Sequence, residues 1–500
     1  MNRILSASHN LPSPFACLAV LSLCLAAVAA HGQVSLTQIS FDPFTVGPGQ
    51  HATEVEPHVL ANGTTLVAAF QTGRISPGGA TAIGWATSTN GGTTWTHGFL
   101  PGLTSGYGGG PYAAASDPNV AYDAKHGLWL ISTLPILNST TTTPGVAVSS
   151  STDGVTWGNP VLVGPMVTAS DKNWIACDST STSPYYGNCY VEWDNPDNGD
   201  QIWMSTSIDG GMTWSAATTI GGGGEGLGGT PLALPNGTVV VPIETSGMSA
   251  YTSTNGGASW SALVTISNVQ WHTDAGGIRS RPLPSAAVDG AGTVWVVWED
   301  CRFRSRCSTN DLVYSTSTNG TTWSAVTRIP IDATTSTVDH FIPGTGIDPT
   351  TSGATAHVAV HYYYYPKSSC TQSTCQLYVG YISSANGGST WNTPVTLAGP
   401  MTLTWLPNSQ NGLMVGDYIA TAFPGSVPYG VFAVAAAKSG STFNEAIYTA
   451  QGLTAPVKAG PQLSSAGDKP LHHLSDPLGR ELPERGIIPP SRRAARSSSK

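Results

Sequence analysis

A chain of 500 residues in which only 10% are charged makes each ionisable side chain conspicuous. Several of them stand at matching places in a recurring pattern. Seven segments open in a similar way, with EVEPHV, SDPNVAYD, SDKNWIACD, GGTPLALPNG, RSRPLPSAAVD, VDHFIPGTGID and MVGDYIATAF. They place Glu56, Asp117, Asp171, Thr230, Arg279 or Arg281, Asp339 with His340, and Asp417 with Tyr418 at equivalent positions. Carboxylic acids, an imidazole and a phenol are the groups that move protons or attack carbon in general acid–base and nucleophilic catalysis. Arginine is concentrated too, with Arg279, Arg281, Arg302, Arg304 and Arg306 in one repeat and Arg74 and Arg328 outside it. Guanidinium forks match carboxylates in shape and charge, so such a cluster suits an anionic ligand.

The elements that must position these groups are read from a second recurring motif. STSIDGGMTW, ending at Trp214, has five relatives, ending at Trp95, Trp157, Trp260, Trp323 and Trp391. In each, Asp or Asn can hold nearby backbone N–H groups, Gly accepts positive φ, and the Trp packs down as an anchor. Upstream of each turn lie short alternating strands, clearest in TVWVVW and DLVYSTS. About four strands per unit, repeated six or seven times, predict an all-β propeller of four-stranded blades, with seven blades preferred over six. The opening MVGDYIATAF has only three strands after it. The segment VSLTQISFDPFTV, residues 34–46, is expected to supply the fourth and lock the ring.

Composition narrows the classes of function. Gly, Ser and Thr are abundant, helical periodicity is missing after the first thirty residues, and the net charge of −9 with no basic run in the core excludes nucleic acid as a partner. Arg3, an apolar run and AAVAAHGQ predict a secretory signal over 1–32, leaving no membrane association after cleavage. A propeller is expected over 33–455 and a disordered Pro-, Ser- and Arg-rich tail over 456–500. Cys177 with Cys189, Cys301 with Cys307, and Cys370 with Cys375 form close pairs that read as local disulfides in an exported chain; zinc is the alternative reading. GGGGEGLGG, residues 221–229, reads as a mobile connection between blades, with Glu225 over the channel.

The six turns resemble the Asp boxes, or BNR repeats, of the sialidase superfamily, over roughly residues 50–450. The resemblance implies a secreted, extracellular or periplasmic glycosidase acting on terminal acidic sugars, with arginines on the sugar carboxylate, a Tyr nucleophile and an Asp acid/base. Taken from the seven openings, the catalytic candidates are Asp117 or Asp171 as acid/base and His340 and Tyr418 as base or nucleophile. The substrate-binding candidates are Glu56, Arg74, Arg279, Arg281, Arg302, Arg304, Tyr364 and Asp417. Arg74 lies in QTGRISPGG, where Ser76 stands in place of the proline of the family's R-I-P motif, and the family has six blades. The chain is also similar in blade count and cationic loops to seven-bladed polysaccharide lyases, in which His340 or Tyr418 would remove a proton beside a uronate carboxylate. A third reading is a non-catalytic glycan-binding propeller using Trp174, Trp193 and Trp271. No cofactor or catalytic metal is expected; structural calcium is compatible with the loops but has no assignable site. The expected partner is a glycan and the expected assembly a monomer.

Overall fold

The computed structural model describes residues 34–137, 142–165, 169–450 and 453. The expected signal, the basic tail and nearly all of the segment after 450 lie outside the described residues. Strands dominate, and the helical content is confined to 3-10 turns of three residues. Among the described residues, no helix is long and apolar enough to cross a membrane.

Four-stranded antiparallel units recur seven times along the chain among the described residues. Their innermost strands are Gln50–Asn62, Ala114–Asp123, Asp171–Cys177, Leu232–Ala233, Ser285–Val288, Asp339–Ile347 and Ala420–Ala422, which open blades 1 to 7 in that order. Blades 1 and 2 are joined into one eight-stranded sheet by a single pairing of Ala80 with Ala115. Blade 7 takes its outermost strand from the other end of the chain: Leu36–Gln38 pairs antiparallel with Glu445–Ala450. That pairing covers the outer edge of Glu445–Ala450, completes the fourth strand of blade 7 and closes a propeller.

Apolar side chains on alternate positions fill the spaces between neighbouring blades. Ile202 and Met204 of blade 3 meet Val239, Val241 and Tyr251 of blade 4 in one such core. Trp193 is fully buried between blades 2 and 3, so it is unavailable to stack on a ligand.

All six Trp-ended turns sit between the third and fourth strands of blades 1 to 6. In each, a Ser hydroxyl accepts a glycine N–H at 2.8–2.9 Å, as Ser207 does from Gly211. The Asp or Asn oxygen accepts backbone N–H groups further on; Asp153 takes those of Val155 and Thr156, which hold its carboxyl down at about 2. The indoles of Trp95, Trp157, Trp214 and Trp323 then donate to the glycine carbonyl at 3.1–3.3 Å. The turn therefore satisfies its own backbone, which explains its repetition without any appeal to a ligand.

The three cysteine pairs are disulfides with Cα separations of 4.0, 4.8 and 5.0 Å, which removes the zinc alternative. The glycine-rich stretch 221–229 is tied down rather than loose. Ile202 N–H donates to Gly224 O, Gly226 N–H to Asp200 O, and Leu227 exchanges bonds with Glu244. Gly229 is needed for close approach: a Cβ there would lie 2.6 Å from the Glu192 carboxyl carbon.

Candidate functional site

Four of the seven innermost strands carry the same irregularity near their start. The ladder skips between Val55 and His58, Ser116 and Asn119, Asp171 and Trp174, and Phe341 and Gly344. In each gap one residue takes positive φ: Glu56, Asp117, Lys172 and Ile342. Pro57, Pro118 and Pro343 follow three of them and have no N–H to offer the ladder, so a bulge costs least there. A bulge re-aims a side chain. Here it turns Glu56, Asp117 and Lys172 into a common cluster.

The centre of that cluster is Asp417, at the entrance to blade 7. Arg279 holds it bidentately, Nε to Oδ1 at 2.6 Å with Nη2 on Oδ2. Lys172 Nζ touches the same Oδ2 and lies 3.4 Å from Asp117 Oδ2. Glu56 accepts from Gln71 and, at 3.4 Å, from the Asp417 N–H; Gln71 donates on to Ser116, whose hydroxyl lies 2.5 Å from Asp117 Oδ1. Five blades or their entry segments thus contribute to one hydrogen-bonded unit.

Burial works against every charge in it, and the pairings decide which survive. Burial alone would raise Asp417, but Arg279 and Lys172 outweigh it and hold this carboxyl far below the usual range. Burial would likewise lower Lys172 and Arg279, and the surrounding carboxylates push both upward instead. Glu56 has no cation in direct contact. Burial, reinforced by Asp117, lifts it to about 8, so at neutral pH it carries a proton. Lys172 and Arg279 then both face the ionised Asp417, beside a neutral acid, in a low-dielectric setting. Arg279 Nη1 is buried and, among the described residues, has no hydrogen-bond partner.

The predicted site residues fall into three groups. Glu56, Asp117, Arg279 and Asp417 are joined directly. Arg74, Arg281, Asp171 and Tyr418 border them. Arg74 is buried and spends its guanidinium on the carbonyls of Ile75 and Gly79, and burial followed by repulsion from Arg279 lowers it to about 10. Arg281 is paired with Glu244 at 2.8 Å and its side chain is 37% exposed, the outermost cation of the group. Asp171 lies opposite Asp194 in the ladder, and burial raises its carboxyl. Tyr418 donates to Pro118 O at 3.1 Å and packs edge-on to Trp174; burial, then Glu56, pushes its phenol well above 10.

His340, Tyr364, Arg302 and Arg304 are not brought to this cluster. His340 is buried against Tyr362 and Tyr364, with Nδ1 3.2 Å from Asn310 O, and burial keeps its imidazole neutral. Tyr364 stacks on Tyr378 and bonds Thr396 at 2.7 Å. Strand alternation does not apply to Arg302 and Arg304, because Cys301 to Cys307 is a disulfide-closed turn containing a 3-10 segment. Arg302 is spent on Asp300, and Arg304, fully buried, on Asp311 and Asp332. Asp311, Asp332 and His340 offer ligand atoms within 4.8 Å of one another, but Arg304 and Arg328 already neutralise that group. Lys172 was missed by sequence reasoning. By sequence, SDPN and SDKN set Asp171 opposite Asp117; the bulge lies one residue later in blade 3 and puts Lys172 there instead.

Asp117, Lys172, Asn173, Trp174 and Tyr418 line a cavity of about 20 Å3 beside the cluster, enough for one water molecule. A larger groove of about 490 Å3 lies elsewhere, between the outer parts of blades 2 and 3, with Trp203 and Trp214 in its lining and no ionisable side chain. The charge network, not hollow size, marks the candidate site.

No family model matches the sequence, and no curated protein does. Solved structures do resemble the fold. A protein of unknown function from Dyadobacter fermentans shares 16% identity, with 71% of this chain and 99% of that one covered and a TM-score of 0.45. The NanB sialidase from Streptococcus pneumoniae shares 14% identity over 82% and 70%, TM-score 0.40. A polysaccharide lyase of the PL25 ulvan lyase type shares 10% over 83% and 95%, TM-score 0.48.

Proposed function

We propose that the protein is a secreted Asp-box propeller of the sialidase group that acts on acidic glycans by hydrolysis at the Asp117–Lys172–Arg279–Asp417 cluster. The observation that carries this reading is geometric: Asp117 and Lys172, joined to Asp417 and Arg279, line a one-water cavity, and behind them burial keeps Glu56 protonated while Asp417 is ionised. Carboxyl groups whose environments drive their protonation apart are the usual basis of acid/base division in glycoside hydrolysis. Asp117 faces the cavity and is the group placed to exchange a proton with water or a leaving oxygen. The partly exposed Arg281 would take the substrate's carboxylate, with Arg279 holding Asp417 in place behind it. The three disulfides support an oxidising, extracytoplasmic location.

Two features weigh against β-elimination. His340 is remote from the cluster, and Tyr418 is held protonated as a donor to Pro118 O. The same feature weighs against Tyr418 as a nucleophile. The test is to incubate the mature protein with fluorogenic sialosides and glucuronides, and in parallel with uronate polysaccharides while following absorbance near 235 nm. Release of fluorophore that falls at least 100-fold in Asp117→Asn supports hydrolysis. A rise at 235 nm instead establishes a lyase, and binding on a glycan array without turnover establishes a lectin-like role.

A further inference from the structure

The ring closes where blade 7 meets blade 1, and the residues at that seam are unusual. Beyond the pairing of Leu36–Gln38 with Glu445–Ala450, Ile39 N–H donates to Ile447 O at 2.9 Å. Ser40 then ties three segments together: its Oγ accepts the Ile447 N–H at 2.7 Å and donates to Glu54 Oε2 at 2.6 Å. Slightly further on, Phe443 N–H donates to His51 O at 2.8 Å and Ala52 N–H to Phe443 O at 3.4 Å. Glu54 and Glu445 each follow that backbone contact by two residues, so both carboxyl groups sit along the seam.

Both are 1% exposed. Glu54 Oε1 and both oxygens of Glu445 have no hydrogen-bond partner among the described residues. The ionisable groups facing the pair come from every neighbouring element. Asp42, between the closing strand and blade 1, is engaged with His51 Nδ1 at 2.9 Å; Tyr448 lies on the same strand as Glu445, and Tyr363 on blade 6. The remaining cation, Lys438, lies over the Phe443 ring, 3.6 Å from its centroid. No arginine is among these neighbours, and the two glutamates repel each other when charged. A carboxyl in such a place keeps its proton rather than bear an unpaired buried charge.

We propose that the blade 7–blade 1 seam is an acid latch: the ring is closed around two protonated glutamic acids, and their ionisation in alkaline medium releases the N-terminal strand. The sign follows from linkage. Burial raises Glu54 to about 8 and Glu445 well above its ordinary value, so the folded seam binds protons more tightly than the unfolded chain. The latch is therefore complete below about pH 4.5, weakens as pH rises towards 8, and is weakest above it. Glu192 and Asp194, fully buried in blade 3 with all four oxygens unpartnered, repeat the arrangement away from the seam.

Hydrogen exchange on the intact mature protein tests the latch, comparing wild type with E54Q/E445Q and with E445M at the same pH so that intrinsic rates cancel. In peptides spanning 34–46, wild type and variants should exchange alike at pH 5. At pH 9 wild type should exchange at least tenfold faster, while Val294–Asp300 in blade 5 shows no such difference. A wild-type to variant ratio that is constant with pH overturns the proposal, and so does a difference shared equally by blade 5. If the double variant fails to fold, E445M, which removes only partnerless oxygens, decides the matter. The wild-type protection factor over 34–46, corrected for intrinsic rate, must also fall between pH 5 and pH 9.

Discussion

Lys172 stands between two aspartates that the chain separates by 300 residues: it touches Asp417 Oδ2 and lies 3.4 Å from Asp117 Oδ2, with its side chain only 7% exposed. One ammonium thus ties blades 2, 3 and 7 together at a single point. Its neutralisation would leave two buried carboxylates with only Arg279 to balance them.

Lys172→Met is accordingly expected to destabilise the fold by about 3 kcal/mol, the scale for stripping one partner from a buried ion pair. Denaturant midpoints measure this. The double variant Lys172→Met/Asp417→Asn should be less destabilised than the sum of the singles, because removing both charges leaves less unpaired. Strict additivity would mean that the contact carries no coupling.

Arg281→Ala should behave differently. The Arg281–Glu244 pair is partly open to water, and exposed pairs contribute at most about 1 kcal/mol. The melting temperature should move by no more than a few degrees, while turnover or binding of an acidic glycan is lost. Wild-type activity in this variant would remove Arg281 from the site.

Glu56→Gln should alter the pH dependence of stability. Glu56 is raised from 4.5 to about 8, so the folded state holds its proton more tightly than the unfolded state. Its contribution is fully present below pH 4.5 and is lost progressively as pH rises to 8. The Gln variant keeps the acceptor for the Asp417 N–H but cannot ionise. Thermal unfolding should place it close to wild type at pH 4 and above wild type at pH 8.5; the reverse order would show that Glu56 is charged in the fold.

Cys177→Ala/Cys189→Ala removes a link of sequence separation 12 between adjacent strands of blade 3. Loop-closure entropy puts the loss at about 3 kcal/mol. A calorimetric melting temperature unchanged by the double substitution would show that the bridge contributes nothing to blade 3.

Much of the architecture was legible in local chemistry. The Ser, Asp or Asn, Gly and Trp of each turn bond mainly to one another within eight residues, so six copies in the sequence became six similar turns. Period-two alternation marked strands such as Val294–Asp300 for the same reason, since a strand's facing pattern is written along it. The missing strand of blade 7 could be assigned to the N-terminal segment because a ring leaves one edge to cover.

The candidate site was legible only in part. Equivalent openings identified Glu56, Asp117 and Asp417 as neighbours, because positions at matching places in a propeller converge. The sequence could not say which ionisable groups would be spent elsewhere. Arg302, Arg304 and His340 looked as well placed as Arg279, yet a disulfide-closed turn and an interblade pocket tied them to Asp300, Asp311 and Asn310. Bulges turned Lys172 inward, and the packing of Ser40, Glu54 and Glu445 made a seam of acids that no spacing marks. Composition and short-range pattern set the blades, since those depend on residues that are near in sequence. The charge state of each carboxyl was decided by tertiary structure, because it depends on which side chains from distant blades reach it and on how much water they exclude.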